Sequence, residues 1–233
     1  ALAMGGEPAI GAPMPEAQPA ARRHLSPAFS AALMRWWQPS ARNIAWRAPP
    51  GERPDPYRVW LAEVMAQQTT VAAAGPRFER FTARWPTLAA LAAAEEAEVL
   101  REWAGLGYYA RARNLVRAAR AAHAMGGLPS SEAALRALPG VGDYTAAAIA
   151  AIAHGALVLP VDANIARIGA RLLARDASRA AVRAALEPLV PRDDPGGFAQ
   201  ALMDLGATIC LARAPRCAAC PVSDWCAAAA SGA

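Results

Sequence analysis

Lysine is absent from this 233-residue chain: all 24 basic residues are arginine, set against 19 acidic ones. That absence excludes lysine-dependent phosphate loops, pyridoxal Schiff bases and any lyase whose nucleophile is a lysine amine. Histidine is scarce, and His24, His123 and His154 share no metal-ligand spacing. No stretch reads as a membrane span, because the longest run without charge, Tyr144 to Val161, is mostly alanine and holds His154, Gly155 and Pro160. The expectation is a soluble protein with no membrane partner. Strand patterning is also missing; Leu157 to Val161 is the single credible extended segment, and Pro160 weakens it. The first 25 residues have no continuous apolar core of the signal-peptide kind, and their Ala, Pro and Gly content predicts a disordered tail over 1–25. Cysteine does not occur before residue 210.

What is abundant is alanine, 64 residues within a hydrophobic fraction of 55%. Alanine is the best helix former but contributes little buried area, so the composition favours many closely packed helices. The net charge of +5 and a pI near 9.5 suit a polyanionic partner without demanding one. Helix-start signals stand at Ser26-Pro27 and Asp55-Pro56, separated by a connector rich in proline and glycine, Pro49, Pro50, Gly51 and Pro54. Further helical runs are predicted at about 77–84, 88–103, 108–124, 131–137, 143–154, 163–174, 178–190 and 198–211, with Gly126-Gly127 and Gly155 as stops.

Three groups of residues carry chemistry. Cys210, Cys217, Cys220 and Cys226, with six, two and five residues between them, form a compact cage. Two disulfides fit poorly with a chain lacking a secretion signal, and ligand rules alone leave zinc and an iron–sulfur cluster both open. Leu138-Pro139-Gly140-Val141-Gly142 joins two helical stretches with a tight turn. Asp143 is then read as the cap of the next helix, and the exposed amides there make an anion site. Between Trp103 and Gly142, Arg111, Arg113, Arg117, Arg120 and Arg136 face one acid, Glu132, beside the aromatics of Gly105-Leu106-Gly107-Tyr108-Tyr109. Arginines there can follow phosphates while aromatics enter a base stack. Finally, Glu63 lies in an apolar helix where burial would keep it protonated, and Asp162 lies at a helix start where it stays ionised. Taken singly, Glu63 reads equally as a surface residue and Asp162 as an ordinary cap. As a pair they suit cleavage of a glycosidic bond, which needs an acid on the leaving group and an anion near the sugar cation.

Pro56-Tyr57-Arg58-Val59-Trp60-Leu61-Ala62-Glu63-Val64-Met65-Ala66-Gln67-Gln68-Thr69 resembles the catalytic helix of the MutY-type adenine DNA glycosylases, and Gly105 to Arg113 resembles that family's second DNA-contacting segment. The Pro-Gly-Val-Gly turn followed by Asp162 resembles the helix-hairpin-helix and aspartate signature of base-excision glycosylases. The six, two, five cysteine spacing resembles the [4Fe-4S] loop of the endonuclease III and adenine glycosylase superfamily. The likeness runs over roughly residues 28 to 226.

The resemblance implies an all-α fold of two helical domains with a cleft between them. Residues 52–157 would form a six-helix barrel domain with the helix-hairpin-helix, and 26–51 with 158–229 an iron–sulfur cluster domain. It implies that Glu63 protonates adenine, that Asp162 stabilises or captures the sugar cation, and that Tyr144 and Asn164 support the transition state and position water. Trp46, Arg47 and Gln200 would line the adenine pocket. Gln68 and Tyr108 would wedge into the duplex, and Gly140, Val141 and Gly142 would hold a phosphate. Cys210, Cys217, Cys220 and Cys226 would bind a [4Fe-4S] cluster. Bifunctional relatives carry lysine at the place of Tyr144, so hydrolysis without an efficient lyase step is expected. The expected partner is double-stranded DNA with adenine opposite 8-oxoguanine or guanine, the expected state a monomer, and the expected location the bacterial cytoplasm, at the nucleoid.

Departures from the family pattern are Ala163 for a common glycine, Ala66 for a common leucine, and an end soon after Cys226 where typical members continue into a Nudix-like domain. A thymine-removing G:T glycosylase is the alternative within the superfamily; those usually carry arginines where Gln67-Gln68 stands. A non-enzymatic DNA-damage-binding iron–sulfur protein is the alternative outside catalysis.

Overall fold

The computed structural model describes residues 23–49, 52 and 54–231. Most of the expected tail therefore lies outside the described residues, as do Pro50 and Gly51 of the connector. Arg23 is tied to the C-terminal segment: its amide donates to Asp224 O at 2.9 Å, and its guanidinium lies over the Trp225 ring and 3.5 Å from the Asp224 carboxylate.

Twelve α-helices occur among the described residues: α1 Pro27–Ser40, α2 Pro56–Met65, α3 Val71–Arg84, α4 Leu88–Ala92, α5 Glu96–Glu102, α6 Tyr109–Ala124, α7 Glu132–Arg136, α8 Asp143–His154, α9 Ala163–Leu173, α10 Arg179–Leu186, α11 Pro195–Thr208 and α12 Ala227–Ala230. The described residues contain no strand, in keeping with an all-α fold. Side-chain caps set most of the starts, Asp55 accepting from Tyr57 N and Thr87, Ser131, Asp162, Ser178 and Asp194 doing the same for α4, α7, α9, α10 and α11. Several boundaries differ from the sequence reading: α11 starts at Pro195 and ends at Thr208 where 198–211 was expected, and the run expected over 178–190 ends as a helix at Leu186. Thr70 caps α3 at 71, so Pro76 falls inside that helix. The single helix expected over 88–103 breaks into α4 and α5, and Arg120 satisfies carbonyls left free there, donating to Ala92 O at 3.2 Å and Ala94 O at 3.0 Å.

Two separate apolar cores form. The first gathers Trp60, Leu61, Met65, Phe78, Phe81, Trp103, Leu115 and Ile149 from α2 to α8. The second gathers Phe29 and Leu33 of α1 with Ile165, Val182, Phe198, Leu202 and Trp225 from the later elements. Trp46, expected with the second group, instead packs on the first core, its ring edge-on to Phe78 at 5.6 Å. Helix α8 bridges the two, packing on α2 and on α11. The α8–α11 approach is close because Gly196 has no side chain; a Cβ there would come within 2.8 Å of the Ile152 backbone. Arg183 of α10 adds a polar tie, donating to both carboxylate oxygens of Glu132 on α7 and to Glu187. Among the described residues no helix is long and apolar enough to cross a membrane.

Candidate active site

Glu63 sits on α2 with Leu61, Ala62, Val64 and Met65 buried on either side of it. The residue is half-buried, and protein atoms crowd its carboxyl. Its pKa is raised to about 7: burial drives it up, a hydrogen bond from the Tyr144 hydroxyl opposes that rise, and the nearby Asp162 carboxylate adds to it. Tyr144, on the first turn of α8, is held well above its ordinary pKa by burial and by the charges of Glu63 and Asp162, so it stays a phenol and a donor. Three groups placed 81 and 18 residues from Tyr144 in sequence, on α2, α8 and the start of α9, are thereby brought together.

Asp162 is the cap of α9, as its sequence context implied. One carboxylate oxygen accepts from Ile165 N at 2.7 Å and the other from Asn164 Nδ2 at 2.9 Å. Asn164 Oδ1 in turn accepts from Arg167 Nη2 at 2.9 Å, and Arg167 also donates to Gly206 O and to Cys210 O. Gly206 is required here, because a Cβ would lie 2.5 Å from that of Asn164. A continuous hydrogen-bonded path thus runs from the Asp162 carboxylate to the backbone of the first cysteine.

Arg47 and Gln200 meet, Arg47 Nε donating to Gln200 Oε1 at 2.9 Å. The remaining Arg47 donors go to Asp204 and to Arg42 O. Asp204, 1% exposed, also accepts from Trp37 Nε1 and from Arg42. Burial would raise its pKa, but hydrogen bonds from Arg47 and Arg42 outweigh that and hold the carboxyl below its usual range. Trp46 packs beside this network on the first core.

Gln68 and Tyr108 are exposed, and both adopt left-handed backbone, with φ of 58° and 49°. Gln67 Nε2 donates to Thr145 Oγ1, tying the end of α2 to α8. In the hairpin, Gly140 has φ 75° and its missing Cβ clears Asn114, while Val141 is buried. The cap of α8 is Gly142 and not Asp143; Asp143 occupies the first helical turn and pairs with Arg136 at 3.0 Å. With no side chain capping α8, its first amides remain available to an anion. The basic run is also narrower than the sequence implied. Arg111 and Arg120 spend their guanidinium groups on carbonyls and Arg136 on Asp143, which leaves Arg113 and Arg117 exposed and without an ion pair among the described residues.

Cys210, Cys217, Cys220 and Cys226 line one recess with Arg171 and Ile209. Burial pushes the Cys220 thiol up to about 11, the other three thiols adding to it. Among the described residues no three His, Cys, Asp or Glu side chains close on one ion. Four thiols spread around a recess suit a cluster of several metal atoms better than a single tetrahedral ion. Arg171 Nη1 donates to Cys210 Sγ at 3.2 Å and to Leu211 O, supplying positive charge beside thiolates.

Sequence reasoning missed Arg167, Arg171, Asp204 and Gly206. The arginines recur with Asn164 at i+3 and i+7 along α9, one helix face, and Asp204 is the one charged residue inside α11; both signals were readable.

Residues 61–192 match the HhH-GPD superfamily of base excision DNA repair proteins, and residues 210–226 match the iron–sulfur binding domain of endonuclease III. The chain is 42% identical over 212 residues to the adenine DNA glycosylase of Homo sapiens, covering 85% of this chain and 39% of that protein. It is 39% identical over 228 residues to that of Mycobacterium tuberculosis, covering 92% and 71%. The chain thus spans about two-fifths of its mammalian relatives' length. Among solved structures, a thermostable thymine-DNA glycosylase superposes with a TM-score of 0.77 at 28% identity, over 88% of this chain and 96% of that one. A trapped endonuclease III–DNA covalent intermediate shares the fold at 22% identity, with a TM-score of 0.73 over 89% and 99%.

Proposed function

This chain belongs to the HhH-GPD superfamily of base excision DNA repair proteins, and within it to the adenine DNA glycosylases; on that premise we propose that it hydrolyses the N-glycosidic bond of adenine mispaired with 8-oxoguanine or guanine. The observation that carries this reading is the pairing of Glu63, raised to about 7, with the capped Asp162 beside it. A nucleobase leaves from a duplex only after it has been flipped out of the stack. Glu63 then donates its proton to a ring nitrogen of the adenine, and the electrons of the glycosidic bond leave with the base. Asp162, its oxygens held by Ile165 N and Asn164, meets the sugar cation; water then adds to the sugar carbon, and the proton it gives up returns to the carboxylate left on Glu63. Tyr144 donates to Glu63 and, being a phenol, has no amine with which to open the sugar as a Schiff base.

The two cores would correspond to two domains, 52–157 and 26–51 with 158–229, with the carboxylates at the cleft between them. Trp46, Arg47 and Gln200 would line the base pocket, Gln68 and Tyr108 would wedge the duplex, and Gly140 to Gly142 would seat a phosphate on α8. Cys210, Cys217, Cys220 and Cys226 would hold the [4Fe-4S] cluster, which orders the loop for docking on DNA and does no chemistry on the base. The working state would be a monomer in the cytoplasm, at the nucleoid.

The test is single-turnover base release from duplexes carrying adenine opposite 8-oxoguanine, adenine opposite guanine and thymine opposite guanine. Release of adenine from the first two, without strand cleavage until alkali is added, is the expected result. The thymine arm addresses the structural likeness to a thymine-DNA glycosylase; thymine release as fast as adenine release would overturn the assignment.

The pH dependence follows from Glu63. The acid form is the active one, so base release should fall about tenfold per pH unit above about 7, read from single-turnover rates. Its folded pKa lies above the unfolded 4.5, so its favourable contribution to stability is fully present below 4.5 and lost as pH rises through about 7. A rate that stays level up to pH 9 would remove Glu63 from the acid role.

A further inference from the structure

We propose that Arg111 is a positioning residue that presets both wedge turns; the inference rests on the reading of Gln68 and Tyr108 as wedges. Arg111 lies in the first turn of α6. Its Nη1 donates to Val64 O at 2.9 Å, in the last turn of α2, and to Gln67 O at 2.6 Å, in the turn just past its end. Its Nη2 donates to Leu106 O at 3.0 Å and, longer, to Gly107 O at 3.5 Å. The group also lies over the rings of Trp103 and Tyr108, with its carbon 5.3 and 5.5 Å from their centroids.

In each pair one accepting carbonyl belongs to the residue directly before a left-handed one, and the other lies further back in the chain. Gln67 O leads into Gln68, and Leu106 O with Gly107 O leads into Tyr108. Left-handed backbone is unfavourable for residues that carry a Cβ, so neither turn holds itself. Two segments some forty residues apart are thus bound to one planar fork, and the fork fixes their spacing as well as their conformation. Lysine has a single point of donation and could not serve four carbonyls in two directions. All four Nη protons are engaged within the protein, so the charge is not offered to a DNA phosphate. Its work is to keep two exposed side chains at a set separation before the duplex arrives, so that insertion costs no reordering of the loops.

The experiment compares five proteins with intact clusters: wild type, Arg111→Gln, Arg111→Lys, the wedge variant Gln68→Ala with Tyr108→Ala, and Arg111→Gln combined with both wedge changes. Each is read by single-turnover adenine release, by fluorescence of 2-aminopurine placed next to the target adenine, and by the salt dependence of binding to undamaged duplex. Arg111→Gln should slow flipping and base release by roughly 10²-fold, the scale of a small misplacement. If Arg111 acts through the wedges, the combined variant should be no slower than the wedge variant. The salt slope should stay unchanged, where a lost phosphate contact would reduce it by about 0.9. Arg111→Lys, which keeps the charge and reaches one carbonyl at a time, should recover part of the flipping rate and leave the slope alone. Multiplicative losses in the combined variant, or a reduced salt slope in Arg111→Gln, would overturn the proposal while leaving the wedges in place. A wedge variant that flips and releases adenine at the wild-type rate would overturn the wedge reading, and the proposal with it.

Discussion

Glu63→Gln should lower single-turnover adenine release by roughly 10²–10⁴-fold, the range that a positioned acid contributes, while mismatched duplex binds with wild-type affinity. The amide keeps the size of the carboxyl and can still accept from Tyr144, but it has no acidic proton to give the base. The effect rests on a particular balance on α2. Burial raises the carboxyl, the Tyr144 hydroxyl restrains the rise and the Asp162 anion adds to it, the balance lying at about 7. Glu63 is therefore protonated often enough at neutral pH to act, and remains strong enough as an acid to give up its proton. Asp162→Asn should have a comparable effect on rate through the other half of the pair, since an amide offers no anion to the sugar cation. Binding measured beside rate separates these outcomes from loss of fold. A Glu63→Gln protein that releases adenine within a few-fold of wild type would place the acid elsewhere.

Asp204→Asn should destabilise the protein by about 3 kcal/mol, at the lower end of what removing one partner from a buried ion pair costs, since Arg42 keeps some solvent. For a chain of this size that is roughly 6–12 °C in Tm. Asp204 is 1% exposed and receives donors from Trp37, Arg42 and Arg47, which it holds together across more than 150 residues of sequence. Removing its charge leaves two arginines facing one another. Because the Asp204 pKa is lowered in the folded protein, its contribution is present above the unfolded carboxylate range and lost as pH falls through the folded value. Arg47 also holds Gln200, so base release should weaken together with stability. Midpoints in urea for the two proteins, at neutral pH and at a pH well below the usual carboxylate range, check both parts: a difference that is large at neutral pH and shrinks in strong acid is expected. Equal midpoints at neutral pH would reduce the network to surface ion pairing.

Much of the site was legible because its chemistry rides on local sequence. Asp162 is a helix cap whichever way the chain packs, and its partner Ile165 N is three residues away. The glycine at 140 is needed for a local positive φ, and the cysteine spacing is a matter of one short loop. The basic run between Trp103 and Gly142 was the part least legible. Composition counts arginines, but only packing tells which of them are already spent within the protein, Arg111 and Arg120 on carbonyls and Arg136 on Asp143. For the same reason Asp143 could be taken for a cap when Gly142 holds that position.

The sequence by itself determined the helical class, most helix starts, the absence of any lysine nucleophile and the kinds of residue available for acid, anion and metal ligation. These follow from local propensity, capping and side-chain chemistry, which operate over a few residues. Tertiary structure alone decided that Glu63, Tyr144 and Asp162 share one field, that Asp204 gathers Trp37, Arg42 and Arg47, and that Arg111 joins the turns before Gln68 and Tyr108. A raised carboxyl, a lowered one and an arginine spent on carbonyls all arise from desolvation and from neighbours distant in the chain, and no window of sequence contains them.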